Sequence, residues 1–468
     1  MPSDKTNEDM ASIEARDPAY FGYYAMLQHQ QNMLQDTVRT STYRSAILLN
    51  PDCFEGKLVM DVGAGSGILS YFAAQAGASK VYAVEASTMA SKMKKLVKSA
   101  SLPGGMARNE FLKDRIEVIH AKIEDPKVKA KVPTVDTIIS EPIGVLLVHE
   151  RMIESFIYAR DNFLRPGGHL FPNKGHMFLA PFTDALLYTE TMGKARFWEQ
   201  DGFHGVDLSP LFADAKAEMF GMPVVGHFDP KSLLATPVSA DEGFEMDFST
   251  ITMDELKDFV VPMEWHAQYT GLMHGVAGWF SLHFSGNPAN EQGSPIELST
   301  APHAEKTHWQ QVRFLFREPL AVNSGQIIRG WMHCVVNEMR SYTVDIEVIA
   351  GPYGELSDPH KAYKAKNKAQ DEERRAEQDE GDEEEGTRSQ ENGTPAAAHD
   401  GDGGEDGGEA EEEDDQLAFV RRKGRWELHE QSYNYSYTGP QNDLLTKPEH
   451  LCMYEPDPNM VYETTAFS

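Results

Sequence analysis

Two glutamates follow one apolar run of the chain and are the residues best suited to act together chemically. Glu141 and Glu150 stand nine positions apart in SEPIGVLLVHE. Pro142 and Gly144 indicate a turn after the first glutamate, so the two carboxylates can converge from the arms of one loop. Like charges at one site raise a pKa, but a guanidinium between them would let both acids stay ionised. The pair therefore indicates an arginine side chain as ligand, although Glu150 alone could be an acid at a helix N-terminus.

A glycine-rich stretch precedes these glutamates. DVGAGSG, residues 61–67, lies between an apolar run and a helix-like stretch. Glycines there let a ligand approach the backbone, and a helix N-terminus offers free N–H groups. A dinucleotide site would have the pattern GxGxxG, but Ile68 stands where its third glycine belongs.

Three acids in register with this glycine loop indicate the kind of cofactor. Asp61 opens the loop, Glu85 lies 24 residues further along, and Glu124 follows a third apolar run. A carboxylate at position 85 can accept hydrogen bonds from ribose hydroxyls. Asp61 would repel a pyrophosphate but suits a sulfonium and an ammonium group. S-adenosylmethionine is therefore the favoured cofactor, and the alternative is an ordinary strand–helix turn with surface acids.

Short apolar runs alternate with helix-like stretches around these residues. The runs lie at 58–62, 80–87, 115–125 and 135–142. Strand, helix and strand at this pitch predict a parallel sheet with crossover helices, a Rossmann-like α/β fold. Since open α/β sheets bind ligands at the carboxyl ends of their strands, this sheet would bring the glycine loop and the glutamates to one edge.

A different pattern begins after residue 175. From about 225 to 350 many short runs alternate polar and apolar residues, as in GWFSLHFS at 278–285, which predicts an antiparallel barrel or sandwich. QLAFVRRKGRWELHEQ at 416–431 reads as strand, turn and strand, with VRRKGR at 420–425 as the turn. A nuclear localisation signal is the alternative for these six residues.

The acidic residues are unevenly distributed along the chain. The 468 residues carry 73 Asp and Glu against 43 Lys and Arg, a net charge of −30. Residues 371–415 hold 21 of these acids and 3 of the bases, a net of −18, and no large apolar residue. Such a segment cannot bury enough apolar surface to offset its ordering entropy. We predict that it is disordered and interrupts the β domain as an insertion.

Composition excludes several classes of protein. Three scattered cysteines, Cys53, Cys334 and Cys452, make neither a disulfide framework nor a zinc motif, so no metal is predicted and a reducing compartment is expected. No apolar run reaches the ~18 residues of a membrane span, and the acidic start MPSDKTNEDM is unlike a signal peptide. The net acidity disfavours direct nucleic-acid binding and is compatible with basic protein partners.

These motifs together resemble those of the type I protein arginine methyltransferases. The resemblance runs from about Tyr20 to Val348, and Pro142 is typical of the coactivator-associated (histone-arginine) subgroup. The segments that carry it are YFGYYAMLQHQQNMLQDTVRTSTY, VMDVGAGSGILSYFAAQAGASKVYAVEAS, SEPIG with HERM, LAPFTD, FHGVDLS, LSTAP and THW. It implies an α/β fold in which a Rossmann-like S-adenosylmethionine-binding parallel sheet is followed by an antiparallel β-barrel domain with a helical dimerisation arm.

The resemblance also divides the chain. The divisions are a disordered lead at 1–18, the methyltransferase domain with N-terminal helices at 19–175, the β-barrel substrate domain at 176–356 with its arm at about 188–223, the acidic disordered insertion at 357–415, and the end of the barrel with a C-terminal tail at 416–468.

Each residue that matches the family's motifs is expected to share the family role. The catalytic set is Glu141, Glu150, His308 and Asp36, in which the glutamates hold the substrate and His308 with Asp36 is a candidate proton relay. The cofactor-binding set is Tyr24, Gln30, Met33, Arg39, Asp61, Gly63, Gly65, Glu85 and Glu124, with Arg39 on the cofactor's carboxylate. The substrate-binding set is Tyr24, Met152 and Trp309.

The implied activity is methyl transfer from S-adenosylmethionine to arginines of histones and other Arg-rich proteins, giving mono- and asymmetric dimethylarginine. A homodimer in the nucleus and cytoplasm, with a role in chromatin and transcription regulation, is expected. Ile143, Val145 and His149 depart from the usual residues of the glutamate loop and leave the product range open. The alternatives are a small-molecule methyltransferase and a weakly active scaffold that binds basic proteins through its acidic insertion.

Overall fold

The computed structural model describes residues 16–101, 109–235, 243–286, 295–351, 354–369 and 420–434. The predictions for residues 1–15, for 370–415 of the acidic insertion and for the tail at 435–468, which includes Cys452, lie outside these ranges. Within them, no helix has the length and apolar character needed to cross a membrane.

Five parallel strands form the first sheet, in the order β3-β2-β1-β4-β5. They are β1 Leu58–Val62, β2 Lys80–Glu85, β3 Ile116–His120, β4 Val135–Ser140 and β5 Leu164–Phe171. The last four residues of β1 are all buried, as expected for a central strand that helices cover on both faces. The parallel sheet confirms the predicted α/β domain.

The register of the three central strands determines where the site can form. Val62, the last residue of β1, lies opposite Val84 in β2 and Ser140 in β4. Because the strands are parallel, the glycine loop after Val62 emerges at the same edge of the sheet as Glu85 and Glu141. The pairing of strands far apart in sequence thus brings together the acids of two motifs.

Eleven helices longer than one turn lie in the described residues. They are α1 at 16–24, α2 Leu27–Gln35, α3 Thr37–Leu48, α4 Ile68–Gln75, α5 Met89–Ser99, α6 Pro126–Lys131, α7 Met152–Phe163, α8 Ala185–Arg196, α9 Phe212–Gly221, α10 Met253–Lys257 and α11 at 359–369. The start of α1 corrects the predicted disordered lead, since residues 16–18 are already helical. Asp36 separates α2 from α3 and accepts a hydrogen bond from the backbone N–H of Arg39 at 2.9 Å, which caps α3.

Two largely antiparallel sheets form the second domain. One has the order β16-β7-β12-β10-β6-β8, with β11 paired to β10, and the other has the order β15-β14-β13-β9. Their strands are β6 Lys174–Phe182, β7 Val224–Val225, β8 Phe244–Asp247, β9 Asp258–His266, β10 Gly271–Phe284, β11 Ile296–Ser299, β12 Val312–Val322, β13 Ile327–Asn337, β14 Ser341–Ala350, β15 Val420–Glu427 and β16 Ser432–Tyr433. These sheets confirm the predicted β-barrel domain.

Two predictions near the acidic insertion were wrong. Residues 359–369 form α11, so an insertion that begins at 357 begins too early. VRRKGR, predicted as a turn, lies within β15, which pairs with β14 from Val420 opposite Ala350 to Glu427 opposite Thr343. In the sequence, the basic residues of α11 and β15 resemble those of a solvent-exposed loop, because their acidic partners lie elsewhere in the chain.

Those partners are two wholly buried carboxylates of β14. Arg425 donates to both oxygens of Asp345 at 3.0 and 2.8 Å, and Lys366 of α11 donates to it at 2.7 Å. Arg421 pairs with Glu347 at 3.3 Å. Burial would raise the pKa of Asp345, but Arg425 and Lys366 hold it below its ordinary value. A buried charge without such partners is costly, so these ion pairs fix β15 and α11 on β14.

Replacing Asp345 with asparagine should destabilise the barrel domain, because the mostly buried Arg425 loses its counter-charge. We expect the free energy of unfolding to fall by about 3 kcal/mol, measured by urea denaturation followed by circular dichroism. Asp254→Asn, an exposed position on α10, is the matched control and should change it by less than about 0.5 kcal/mol. Equal unfolding midpoints for the two variants would contradict this assignment.

Candidate active site

A cavity of about 850 Å³ opens at the carboxyl edge of the parallel sheet. Its wall combines the glycine loop, α1, α2, the loop between β4 and α7, and residues 308–310 of the barrel domain. The predicted site residues that line it are Tyr24, Gln30, Met33, Arg39, Gly63, Gly65, Glu85, Glu124, Glu141, Glu150, Met152, His308 and Trp309. Asp36 and Asp61 do not line it.

The glycine loop packs directly against α2. Gly65 has a φ of +55°, and a β-carbon at this position would lie 2.9 Å from Oε1 of Gln30. That oxygen accepts a hydrogen bond from the backbone N–H of Ser66 at 2.9 Å, and Nε2 of Gln30 donates to the carbonyl of Tyr24 at 3.0 Å. Position 65 therefore requires glycine both for its conformation and for the close approach of Gln30.

Glu85 fixes the glycine loop from the end of β2. Its Oε2 accepts a hydrogen bond from the backbone N–H of Gly65, and its Oε1 accepts one from that of Ser87, both at 2.7 Å. Each carboxylate oxygen keeps a further lone pair. Glu85 can therefore accept hydrogen bonds from a ligand in the cavity while it holds the loop.

Asp61 lies beneath the loop, within β1. Its side chain is fully buried, and its Oδ2 accepts a hydrogen bond from the Ser70 hydroxyl at 2.6 Å. Burial raises the pKa of this carboxyl to about 7. Asp61 thus joins β1 to α4, and its cofactor contact stays a prediction. Glu124 does line the cavity and accepts a hydrogen bond from Ser155 at 2.8 Å.

Glu141 follows β4 and is paired with a buried cation. Nη2 and Nε of Arg39 donate to its Oε2 at 2.7 and 3.0 Å. The backbone N–H of Ile143 donates to its other oxygen at 3.3 Å. Arg39, predicted to bind a cofactor carboxylate, thus also neutralises Glu141.

Glu150 is held by hydroxyl groups. The Tyr24 hydroxyl lies 2.8 and 2.7 Å from its two oxygens, and the Tyr20 hydroxyl donates to Oε2 at 2.9 Å. Burial raises the pKa of Glu150; the two hydroxyls and the charge of Arg340 offset only part of the effect. Among the described residues, no lysine or arginine forms an ion pair with this carboxylate. The cavity therefore contains a largely buried carboxylate with room for an external cation.

The loop that carries Glu150 is strained. Leu146, Leu147, Glu150 and Arg151 have φ values of 52°, 72°, 75° and 56°. Residues other than glycine rarely adopt this left-handed region, and each instance costs about 1–3 kcal/mol. Such a backbone persists only where the surrounding structure holds it, so its supports are part of the site.

The barrel domain supplies those supports. Nη1 of Arg151 donates to the carbonyl of Asn337 at 3.1 Å, and Nδ1 of His149 lies 2.9 Å from the Ser341 hydroxyl. Burial lowers the pKa of His149 to about 4. The ring is therefore neutral at pH 7 and acts as a fixed hydrogen-bonding group.

His308 and Asp36, which the family resemblance paired, are in contact. Nδ1 of His308 lies 2.7 Å from Oδ2 of Asp36, and the backbone N–H of His308 donates to the same oxygen at 2.8 Å. Burial would raise the pKa of Asp36, but the hydrogen bonds from His308 and from the Arg39 backbone lower it below its ordinary value. Trp309 is buried and donates through Nε1 to the carbonyl of Ile143 at 3.0 Å, which ties the barrel to the glutamate loop.

Three of the cavity-wall residues that the sequence did not predict belong to one group of ion pairs. Asp17, Lys122 and Arg340 form ion pairs that connect α1 to both domains. Asp17 fell in the segment predicted as disordered, and Arg340 follows it by 323 positions. No local pattern relates residues at that separation.

One group of potential metal ligands occurs in the described ranges. Suitable atoms of Asp258, His333 and His360 lie within 4.8 Å of one another, and none of these residues lines the cavity. Nε2 of His333 lies 2.7 Å from Oδ1 of Asp258, but its buried Nδ1 has no hydrogen-bond partner. Metal-bound histidines almost always donate their second N–H to an acceptor. We therefore interpret the group as a carboxylate–imidazole hydrogen bond.

Comparison with known proteins agrees with this two-domain arrangement. The profile of the arginine methyltransferase oligomerization subdomain matches residues 173–349, which cover most of the barrel domain. That of the ribosomal protein L11 methyltransferase (PrmA) matches residues 42–146, which include the glycine loop. The first match begins 23 residues after Glu150, and the second ends at residue 146, between Glu141 and Glu150.

Solved structures decide the family. The structure of Arabidopsis thaliana protein arginine methyltransferase 10 is 32% identical, covers 71% of this chain and 95% of its own, and superposes with a TM-score of 0.60. The chain belongs to the protein arginine methyltransferase family. Another arginine methyltransferase structure, the Trypanosoma brucei PRMT1 enzyme–prozyme heterotetrameric complex with AdoHcy, is 29% identical over 71% of this chain and 96% of its own, with a TM-score of 0.58.

A curated relative adds a more specific similarity. The probable histone-arginine methyltransferase CARM1 of Oryza sativa subsp. indica is 45% identical over 336 residues, which are 72% of this chain and 60% of that protein. The chain spans about 60% of the length of the curated arginine methyltransferases it matches. This similarity agrees with the subgroup that Pro142 indicated.

Removing the Tyr24 hydroxyl should raise the pKa of Glu150 further, because a hydrogen-bond donor to the ionised carboxylate is lost. We expect Tyr24→Phe to raise it above the wild-type value, measured by carbon-13 NMR titration of glutamate-labelled protein, with Glu150→Gln identifying the signal. Tyr23→Phe, next to it on α1 but exposed and not bonded to Glu150, should leave it unchanged. A fall in the Glu150 pKa on Tyr24→Phe would refute the assignment.

Proposed function

We propose that this chain is a type I protein arginine methyltransferase that transfers methyl groups from S-adenosylmethionine to guanidino nitrogens of protein arginines. Histones and other Arg-rich nuclear or RNA-binding proteins are the substrates, and mono- and asymmetric dimethylarginine are the products. The observation that carries the proposal is the largely buried Glu150, which shares a cavity with Glu141 and has no cationic partner among the described residues. A guanidinium is the cation whose fork of donors fits two carboxylates.

The cavity residues fit the proposed cofactor. Glu85 can accept hydrogen bonds from ribose hydroxyls, and the glycine loop leaves the backbone open to close approach. Arg39 can share its donors between Glu141 and a ligand carboxylate. When bound, S-adenosylmethionine supplies an electrophilic methyl group on a sulfonium.

The two glutamates perform the main task, which is to position the substrate. Guanidinium has a pKa above ~12, so it enters protonated and is a poor nucleophile. Glu141 and Glu150 would bind its N–H groups, orient one terminal nitrogen and draw the positive charge to the others. Because the carboxylates are already fixed by Arg39 and by two tyrosines, little reorganisation is needed during the reaction.

His308 is proposed to accept the proton that the methylated nitrogen releases. Asp36 holds its Nδ1 and stays ionised, which orients the ring and leaves Nε2 for the proton. Met33 and Met152 line the same cavity and are proposed to shape it so that a second methyl group is added to the nitrogen already methylated. The small-molecule and scaffold alternatives are not favoured, since the relatives are named for histone arginine methylation.

Replacing Glu150 with glutamine keeps the shape and removes the charge. We expect kcat/KM for an Arg-rich histone peptide to fall at least about 100-fold, measured by mass spectrometry that separates mono-, asymmetric and symmetric dimethylarginine. Glu110→Gln, an exposed glutamate, is the control and should keep wild-type activity. Activity of Glu150→Gln within about tenfold of wild type would refute the charge argument, and a preference for free arginine analogues would favour the small-molecule alternative.

The helices α8 and α9 are proposed as the arm of a homodimer. They lie within the match to the oligomerization subdomain, and large apolar side chains stay exposed on this segment. Those side chains are Leu186, Phe197, Phe203, Val206 and Leu211. Contact with a second copy of the chain would remove this apolar surface from water. We further propose that the protein acts on chromatin in the nucleus and on other substrates in the cytoplasm.

The double variant Phe197→Ser with Val206→Ser should weaken association, because both apolar side chains would leave the interface. We expect wild type to sediment as a dimer and the variant largely as a monomer at about 1 μM in analytical ultracentrifugation. Tyr269→Ser, which changes an exposed aromatic residue outside the arm, should leave the dimer intact. A monomeric wild-type chain would disprove the assignment.

A further inference from the structure

Asp17 connects α1 to both domains. Its side chain is buried, and its carboxylate pairs with Lys122, which follows β3 in the parallel-sheet domain. The same carboxylate pairs with Arg340, in the turn between β13 and β14 of the barrel domain. Charges removed from water interact more strongly than charges on the surface. One side chain of α1 therefore binds two cations that belong to different domains.

Arg340 also contacts the aromatic residues of α1. Its guanidinium carbon lies 4.4 Å from the centroid of the Tyr20 ring and 5.8 Å from that of Phe21. Arginine stacks on aromatic rings by a cation–π attraction. The Tyr20 hydroxyl in turn donates to Glu150 at 2.9 Å. A continuous series of contacts therefore runs from Asp17 through Arg340 and Tyr20 to the carboxylate of the site.

The turn that carries Arg340 contacts the loop of Glu150 as well. Asn337, the last residue of β13 before this turn, accepts the hydrogen bond from Arg151, and Ser341, the first residue of β14 after it, contacts His149. The two loop residues flank Glu150, whose φ is 75°. Residues 337–341 thus contact both the helix that supplies hydroxyls to Glu150 and the strained backbone on either side of it.

We propose that Arg340 is a positioning residue which, with Asp17 and Lys122, latches α1 over the cavity and holds the tyrosine hydroxyls on Glu150. We call these three residues the latch. Losing either ion-pair partner frees α1, withdraws Tyr20 and Tyr24 from Glu150 and uncovers the cofactor site. The catalytic consequence rests on the proposed function, whereas the docking of α1 does not.

The first experiment measures hydrogen–deuterium exchange of residues 16–24 in the full chain, together with the Kd of S-adenosylhomocysteine by titration calorimetry. We expect Asp17→Asn and Arg340→Gln each to speed exchange and to weaken binding about tenfold. The double variant should add less than about twofold to either single change, because each single variant already breaks the Asp17–Arg340 ion pair that joins α1 to the barrel domain. Arg44→Gln, an exposed arginine on α3, is the matched control and should change neither quantity.

Conservative rescue separates positioning from a folding defect. Arg340→Lys keeps the charge and should restore slow exchange and most of the S-adenosylhomocysteine affinity. In peptide methylation, Arg340→Gln should raise the KM for the cofactor more than it lowers kcat, in contrast to Glu150→Gln. Unchanged exchange in both single variants, or additive effects in the double variant, would overturn the proposal. If the latch variants exchange faster than wild type but the wild-type chain methylates no arginine, the latch is upheld and the proposed function is refuted.

Discussion

The site is organised around a largely buried carboxylate that has no lysine or arginine ion-pair partner in the described part of the chain. Burial raises the pKa of Glu150, and the nearby Glu141 adds to the effect. An arginine beside it would relieve this cost, but the fold places Arg39 on Glu141 instead. The hydroxyls of Tyr20 and Tyr24 lower the cost without neutralising the charge. The remaining negative charge can then attract a cationic ligand, which an internal salt bridge would prevent.

The strained loop explains why both domains are needed to make one site. A β-carbon at Gly144 would lie 2.2 Å from the carbonyl oxygen of His149, so the loop folds back tightly on itself. This reversal of the chain direction brings Glu150 to the cavity that Glu141 also lines. Residues of the loop interior and of its exit adopt left-handed φ values, and the barrel turn supplies hydrogen bonds on either side of Glu150. A parallel-sheet domain alone would leave this backbone without those supports.

Local pattern predicted the parallel sheet and the glycine loop because each depends on residues close in sequence and on the fixed register of parallel strands. The convergence of the two glutamates also followed from local turn residues, Pro142 and Gly144. Long-range charge pairing escaped prediction: VRRKGR reads as a polar turn until Asp345 and Glu347 are found buried on the neighbouring strand. The Asp17–Arg340 contact escaped for the same reason, since an ion pair leaves no periodic trace in the sequence.

Charge pairing distinguishes structural acids from functional ones in the described part of the chain. Asp345, Glu347 and Asp17 are buried, and each is paired with at least one lysine or arginine, so their charges are used within the fold. Asp61 is buried without such a partner and avoids a full charge, because its pKa rises to about 7. Glu150 is largely buried, accepts hydrogen bonds from tyrosine hydroxyls and has no ion-pair partner among the described residues, and it lies in a cavity with space for a ligand. Glu85 is also buried without an ion pair among the described residues, but the backbone N–H groups of Gly65 and Ser87 hold its carboxylate. Glu150 is held instead by tyrosine hydroxyls and lies in a strained loop that opens on the cavity, which supports the proposal that it binds a cation from outside.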